Sequence, residues 1–249
     1  MKKIEDLKIF LKLVDGWLSF HEGFFLYKAS VEVSKLNRGE IVEIGSWLGK
    51  STICLAIGSG KSVVYAVDPH KGEFSKGNGL GKSAPTFKEF VSNLKKANVN
   101  EKVVPIVKTS EDAAKKWNKK IKLLFIDGLH DIKHAREDYD LWSKFLIKDG
   151  IIALHDAFCG HVGPEKVVLE SFLASAFYKE IGVVGSIIYA KKGKPNLWEK
   201  LNLFRTKKLI KLALILNKKE FRFKFFLIHR IFKLLLINKY TSSNMLKRI

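Results

Sequence analysis

Short apolar, β-branched runs alternate along this chain with stretches whose apolar residues recur every three or four positions. Ile41, Val42 and Ile44 form one such run, which Gly45 and Gly49 break. Ser51 and Thr52 then begin a helix through Ile53, Leu55, Ala56 and Ile57. Strands are predicted at 41–45, 62–67, 102–107, 121–126, 150–155 and 183–190, and helices at 50–58, 86–97, 110–118, 131–147 and 164–178. Strands that alternate with helices imply an α/β fold with a mostly parallel sheet and helices on both faces. Residues 4–36, with Leu7, Phe10, Leu11, Val14, Leu18, Leu26 and Val33 at helical intervals, predict a helical cap on that sheet. The chain therefore divides into a cap at 1–38, a sheet domain at 39–192 and a basic helical tail at 193–249.

Polar residues that interrupt this pattern fall at the ends of strands. Glu43 and Gly45 close the first strand, and Asp68 closes the second, 25 residues beyond Glu43. A carboxylate about 20 residues after such a glycine turn meets the ribose hydroxyls of a bound nucleoside. Asp127 ends the strand at 121–126, and His155 with Asp156 ends the strand at 150–155. In a parallel sheet all of these ends share one rim. The run Gly49-Lys50-Ser51-Thr52 resembles the end of a phosphate-binding loop, but three residues separate Gly45 from Gly49 where that loop needs four, and Gly77 to Gly81 misses by the same residue. A nucleotide hydrolase is disfavoured on that spacing. A nicotinamide enzyme is disfavoured too, because Gly-x-Gly-x-x-Gly is absent here.

Taken in order, Glu43-x-Gly45-x-x-x-Gly49, Asp68, Asp127-Gly128-Leu129-His130 and His155-Asp156 resemble the class I S-adenosylmethionine-dependent methyltransferases, in the group with a DGxH strand end and a later HD. The resemblance covers about residues 20–190 and implies a Rossmann-like sheet. It implies that Gly45 and Ser46 line the methionine end of S-adenosylmethionine, with Gly49 and Ser51 in the same turn. Glu43 would orient the loop, and Asp68 would hold the ribose. Ser110 and Glu111 would approach the adenine, although Ser110 also reads as a helix cap. Asp127 and His130 would border the cofactor.

Methyl transfer to a hydroxyl needs an in-line approach and a group to take or mask the proton. Related O-methyltransferases place a divalent ion, such as Mg2+, on the residues matching Asp127, His155 and Asp156. Here a histidine stands at a position usually acidic, and imidazole suits softer ions than magnesium. Without an ion, His130 or His155 serves as general base, and both assignments stay open. His134, one turn further on, reads as a surface residue. Similar enzymes act on sugars and other small hydroxyl-bearing acceptors.

Charge changes the picture only in the tail. Residues 1–190 carry 28 Lys and Arg against 23 Asp and Glu, whereas residues 191–249 carry 17 against 2. Lys208, Lys211, Lys218, Lys219 and Arg222 fall on one helical stripe beside a wide apolar face, the pattern of a helix lying in a membrane interface. An anionic membrane surface met through 205–239, a second copy of the chain, and nucleic acid are the three partners this pattern admits. The nucleic-acid alternative would make the chain an RNA methyltransferase or a binding module. Two cysteines, Cys54 and Cys159, give no disulfide framework, and no secretory signal is legible, so a cytoplasmic enzyme, peripheral on the inner membrane face, is the expectation. The glycine- and lysine-rich stretch at 70–85 leaves from the ligand rim, as a lid or as a surface loop.

Overall fold

The computed structural model describes residues 2–72 and 85–216. The stretch at 73–84 and the tail beyond Leu216, with Lys218, Lys219, Arg222 and the apolar segment at 221–237, lie outside the described residues.

Seven strands form one sheet in the order β3-β2-β1-β4-β5-β7-β6. β1 (Glu40–Ile44), β2 (Val64–Val67), β3 (Val103–Ile106), β4 (Ile121–Ile126) and β5 (Leu146–Leu154) run parallel. β7 (Ile187–Lys192) lies antiparallel to β5, and β6 (Tyr178–Val184) antiparallel to β7. The central strands are mostly apolar because both faces are covered. Ile41, Leu123 and Phe125 pack into one core with α1 (Lys2–Leu13), α2 (Phe20–Val33), α3 (Lys50–Gly58) and α4 (Phe87–Lys96). Val42, Leu124 and Ile126 face the other core, against α5 (Ser110–Lys115), α6 (Ile132–Ser143), α7 (Val162–Val167) and α8 (Leu197–Leu216). All six residues of β4 are buried. At roughly 1.5–3 kcal/mol for each large apolar side chain, this strand anchors the rim it ends on.

Register brings the strand ends together. Ile44 pairs with Val67 on one side and with Ile126 on the other, and Ile126 pairs with Leu154. Gly45, Asp68, Asp127 and His155 therefore all leave the sheet at one edge.

Four readings differ from the sequence pattern. The cap at 4–36 is two helices, because the chain breaks after Leu13, passes Gly16 at φ +141° and restarts on a capping box. In that box Ser19 Oγ accepts from Glu22 N while the Glu22 carboxylate accepts from Ser19 N. The helix expected at 131–147 stops at Ser143, since Leu146 and Ile147 already belong to β5 and Leu146 pairs with Ile121. The helix expected at 164–178 ends in a wide turn at Val168–Phe172. Beyond that turn the chain forms a hairpin, turned at Gly185 (φ +60°), where a single strand at 183–190 was expected. The first strand of the hairpin mixes glycine, lysine and glutamate with apolar residues and so gave only a faint signal.

Candidate active site

The loop after β1 is shaped by one close approach. A Cβ on Gly45, which sits at φ +86°, would lie 2.0 Å from the Asp127 carbonyl oxygen, so only glycine lets β1 and β4 end side by side. Trp47 follows at φ +41°, an uncommon conformation for a bulky residue. Its amide donates to Asp68 Oδ2 at 2.8 Å, and the His70 amide donates to Asp68 Oδ1 at 2.6 Å. Asp68 is thus clamped by two backbone amides at the edge of a cleft with about 570 Å³ of open space, its solvent-open mouth included. Gly45, Ser46, Ser51, Asp68, Asp127, His130, His155 and Asp156 all line this cleft. Ser46 Oγ is buried there without a hydrogen-bond partner.

Glu43, Gly49 and Ser110 lie outside the cleft lining. Glu43 is fully buried beneath the loop, where Thr52 Oγ1 donates to its Oε2, and burial pushes its carboxyl up to about 8 against the pull of the Ser51 and Thr52 hydroxyls. Gly49 begins α3 at φ +88° and packs on the Phe90 ring. Ser110 accepts a hydrogen bond from Trp142 Nε1 at 2.9 Å, and the cap of α5 is its neighbour Thr109, which accepts from Asp112 N. Thr109 takes the cap because its backbone is extended (ψ 155°) just before the helix.

The β4 and β5 ends carry a dense charged cluster. His155 is buried, and its Nδ1 stands 3.1 Å from Asp127 Oδ1 and 3.3 Å from Asp156 Oδ2. Its Nε2 faces Glu22 Oε1 at 3.8 Å. Burial alone would lower the His155 pKa, but the charges and bonds of Asp127, Asp156 and Glu22 raise it well above the usual imidazole range. Burial likewise works to raise Asp127 and Asp156, and the His155 imidazolium overrides it, holding both below the usual carboxylate range. His130 Nε2 lies 3.3 Å from Asp156 Oδ2 and 4.0 Å from Asp127 Oδ1. The Asp127 carboxylate, with that of Asp156, raises its pKa against the effect of burial. Asp156 itself sits at φ +54°. His134 is exposed and pairs at 2.6 Å with Asp131, the cap of α6, away from the cluster.

The sequence missed three contributors. Glu22 is the largest omission: its Oε2 accepts from Ser19 N and Oγ, and its Oε1 from Ser186 N (2.7 Å) and Oγ (2.8 Å). Burial works to raise it, but His155, Ser19 and Ser186 hold it down at about 2. The Ser19-x-x-Glu22 spacing signals a helix start; its reach to β5 had no local signal. Trp17, from the α1–α2 loop, stacks on Trp47 at 5.0 Å and forms part of the cleft wall, and Lys50 Nζ donates to Gly16 O beside it. The cap is therefore part of the site. His161, whose ring centre is 4.3 Å from that of His130, completes the cluster. The ends of the 70–85 stretch are tied together, with Thr86 N donating to His70 O and Thr86 Oγ1 2.9 Å from His70 Nδ1.

Comparison with known proteins agrees with this geometry. A family model described as a methyltransferase domain matches residues 42–157, the span from β1 to the residue after Asp156. Among solved structures, an O-methyltransferase from Bacillus cereus in complex with SAH is similar at 18% identity and TM-score 0.56, over 77% of this chain and 91% of that one. An O-methyltransferase from Streptomyces achromogenes involved in tomaymycin synthesis, in complex with SAM, is similar at 16% identity and TM-score 0.53, over 77% and 88%. A putative O-methyltransferase from Klebsiella pneumoniae is similar at 15% identity and TM-score 0.56, over 77% and 88%. At such identities the likeness is one of fold.

Proposed function

We propose that this chain is a class I S-adenosylmethionine-dependent methyltransferase, in line with the methyltransferase-domain match over residues 42–157, and that it methylates a hydroxyl of a sugar or another small acceptor. The observation that carries the reading is the convergence of Gly45, Ser46, Asp68, Asp127, His130 and Asp156 on one cleft at the strand ends. The residues present fit the cofactor: the turn at Gly45 admits close approach, Ser46 Oγ lacks a partner, and Asp68 is held with lone pairs to spare for a ribose diol. S-adenosylmethionine supplies a methyl group made electrophilic by its sulfonium. The stacked Trp17 and Trp47 rings offer a flat apolar wall suited to a ring-shaped ligand.

His130 is assigned as general base. It lines the cleft and stays partly exposed, whereas His155 is buried among three carboxylates that keep it protonated. As the acceptor oxygen attacks, its proton passes to His130 Nε2, and the nearby Asp156 and Asp127 stabilise the imidazolium that forms. His155 and Glu22 keep those two carboxylates ionised and in place.

The donor set does not fit magnesium. Asp127, Asp156 and His155 bring their ligand atoms within 4.8 Å of one another, but one of the three donors is an imidazole nitrogen, where magnesium takes oxygen.

Calorimetric titration with S-adenosylmethionine, followed by transfer assays on sugar and phenol acceptors, tests the reading. Micromolar binding and transfer that persists in excess chelator are expected. Absence of binding at millimolar cofactor would overturn the function, and loss of transfer on chelation, restored by a divalent ion, would overturn the base assignment. Because a general base must be unprotonated, the rate is expected to rise with pH on a limb above the ordinary imidazole range, in line with the raised His130 pKa.

A further inference from the structure

The C-terminal helix presents an outward face that the core does not use. α8 spans Leu197–Leu216, roughly 30 Å. Leu203, Ile210 and Leu214 are buried in the core cluster over β6. On the opposite side Leu197, Leu201, Phe204, Leu212 and Ile215 are exposed, at 73, 56, 62, 48 and 52%. At 100° per residue these five fall within an arc of roughly 80°. Lys208 lies at the centre of the arc, with Lys200 and Lys211 along one edge and Arg205 along the other. A surface stripe so apolar over five turns is unusual for a face meeting only water.

Charge decides between occupants. The one acid of α8, Glu199, lies on the side away from the stripe and is spent at the helix start, where its carboxylate accepts from Asn196 N while Asn196 Oδ1 accepts from Glu199 N. Lys207 faces away too, donating to Ser175 O, so it ties the helix to the domain. The stripe is thus bordered by cations alone. A second copy docked on the same stripe by two-fold symmetry would set lysine against lysine, whereas an anionic bilayer accepts both parts, acyl chains against the apolar arc and headgroups against the rim. No helix among the described residues is long and apolar enough to cross a membrane.

We propose that the outward face of α8 docks the enzyme on an anionic lipid surface, with Leu201, Phe204, Leu212 and Ile215 entering the interface and Lys200, Arg205, Lys208 and Lys211 meeting phosphate headgroups. The proposal stands independently of the methyl-transfer reading, since it uses no residue of the cleft.

Flotation of the full chain with vesicles tests it. Binding to vesicles of 70% phosphatidylcholine and 30% phosphatidylglycerol is expected, with at least tenfold weaker binding to pure phosphatidylcholine and in 0.5 M salt. The double variant Leu201→Glu and Phe204→Glu, at exposed positions, should lose at least tenfold while keeping its melting temperature. Lys208→Glu with Lys211→Glu should lose binding in the same way. Equal flotation with neutral lipid, no flotation at all, or unchanged flotation of the Leu201/Phe204 variant overturns the proposal. A dimer in solution that the same variant converts to monomer assigns the face to a second copy, and salt-sensitive RNA binding lost in that variant assigns it to nucleic acid. Either result overturns membrane docking.

Discussion

Glu43 beneath the loop after β1 and the Asp127–Asp156 pair at the β4 and β5 ends stand in opposite charge states. On the β1 side Glu43 is buried against the Ser51 and Thr52 hydroxyls, and burial, helped by the Asp127 and Asp68 charges, raises its carboxyl to about 8 and keeps it protonated at neutral pH. On the β4–β5 side Asp127 and Asp156 face a buried imidazolium and stay ionised although burial opposes it. The partner within reach, rather than depth alone, decides the charge. Glu43 becomes a neutral support under a loop that receives the cofactor. The Asp127–Asp156 pair concentrates fixed charge where a proton must move.

Removing the cation should break the contrast most severely. His155→Gln leaves Glu22, Asp127 and Asp156 without the cation that lies among them, and a loss of about 3–5 kcal/mol in urea unfolding is expected. The pKa of His155 is raised in the folded protein, so its stabilisation is fully present below the ordinary imidazole pKa and fades as pH rises through the folded value. The gap between wild type and variant should therefore be widest near pH 6 and narrow in alkali. A loss below about 1 kcal/mol would show that the imidazolium does not hold this half together.

Asp156→Asn comes next, since it touches the proton path but not the Asp68 clamp. A fall in kcat of about 10²–10³ with nearly unchanged cofactor affinity is expected. Equal losses in both would assign Asp156 a structural task. Asp68→Ala should show the mirror image, with cofactor affinity about 10–100-fold weaker by calorimetry and kcat at saturation little changed. Unchanged affinity would remove Asp68 from the cofactor site.

The sequence made the rim legible because its strands are buried on both faces and so read as apolar runs that stop at polar residues. Asp68, Asp127, His155 and Asp156 stood out as polar residues at those stops. The residues that could not be read act across long separations. Glu22 reaches Ser186 from 164 positions away, and Trp17 meets the cleft only because the cap breaks at Gly16. The hairpin of β6 and β7 was hidden for another reason: its turn, Gly185-Ser186, is embedded in apolar residues, so the run at 183–190 reads as one strand. Ser110 misled as a cap because Thr109 beside it offers the same hydroxyl.

The smallest effect on turnover should come from Glu43→Gln, which sharpens the comparison from the neutral side. Glutamine can keep a hydrogen bond to Thr52 and carries no charge, as the protonated wild-type carboxyl does already. A group whose folded pKa is raised contributes stability that is full below the unfolded value and is lost as pH climbs toward the folded one, here about 8. The amide is free of that loss. The variant should match wild type below about pH 4.5, then gain by up to about 1.4 kcal/mol per pH unit until pH 8. Thermal melts across that range provide the measurement. A variant that is less stable than wild type at every pH would mean that Glu43 is ionised in the fold, and the two halves of the rim would then hold their charges by the same rule.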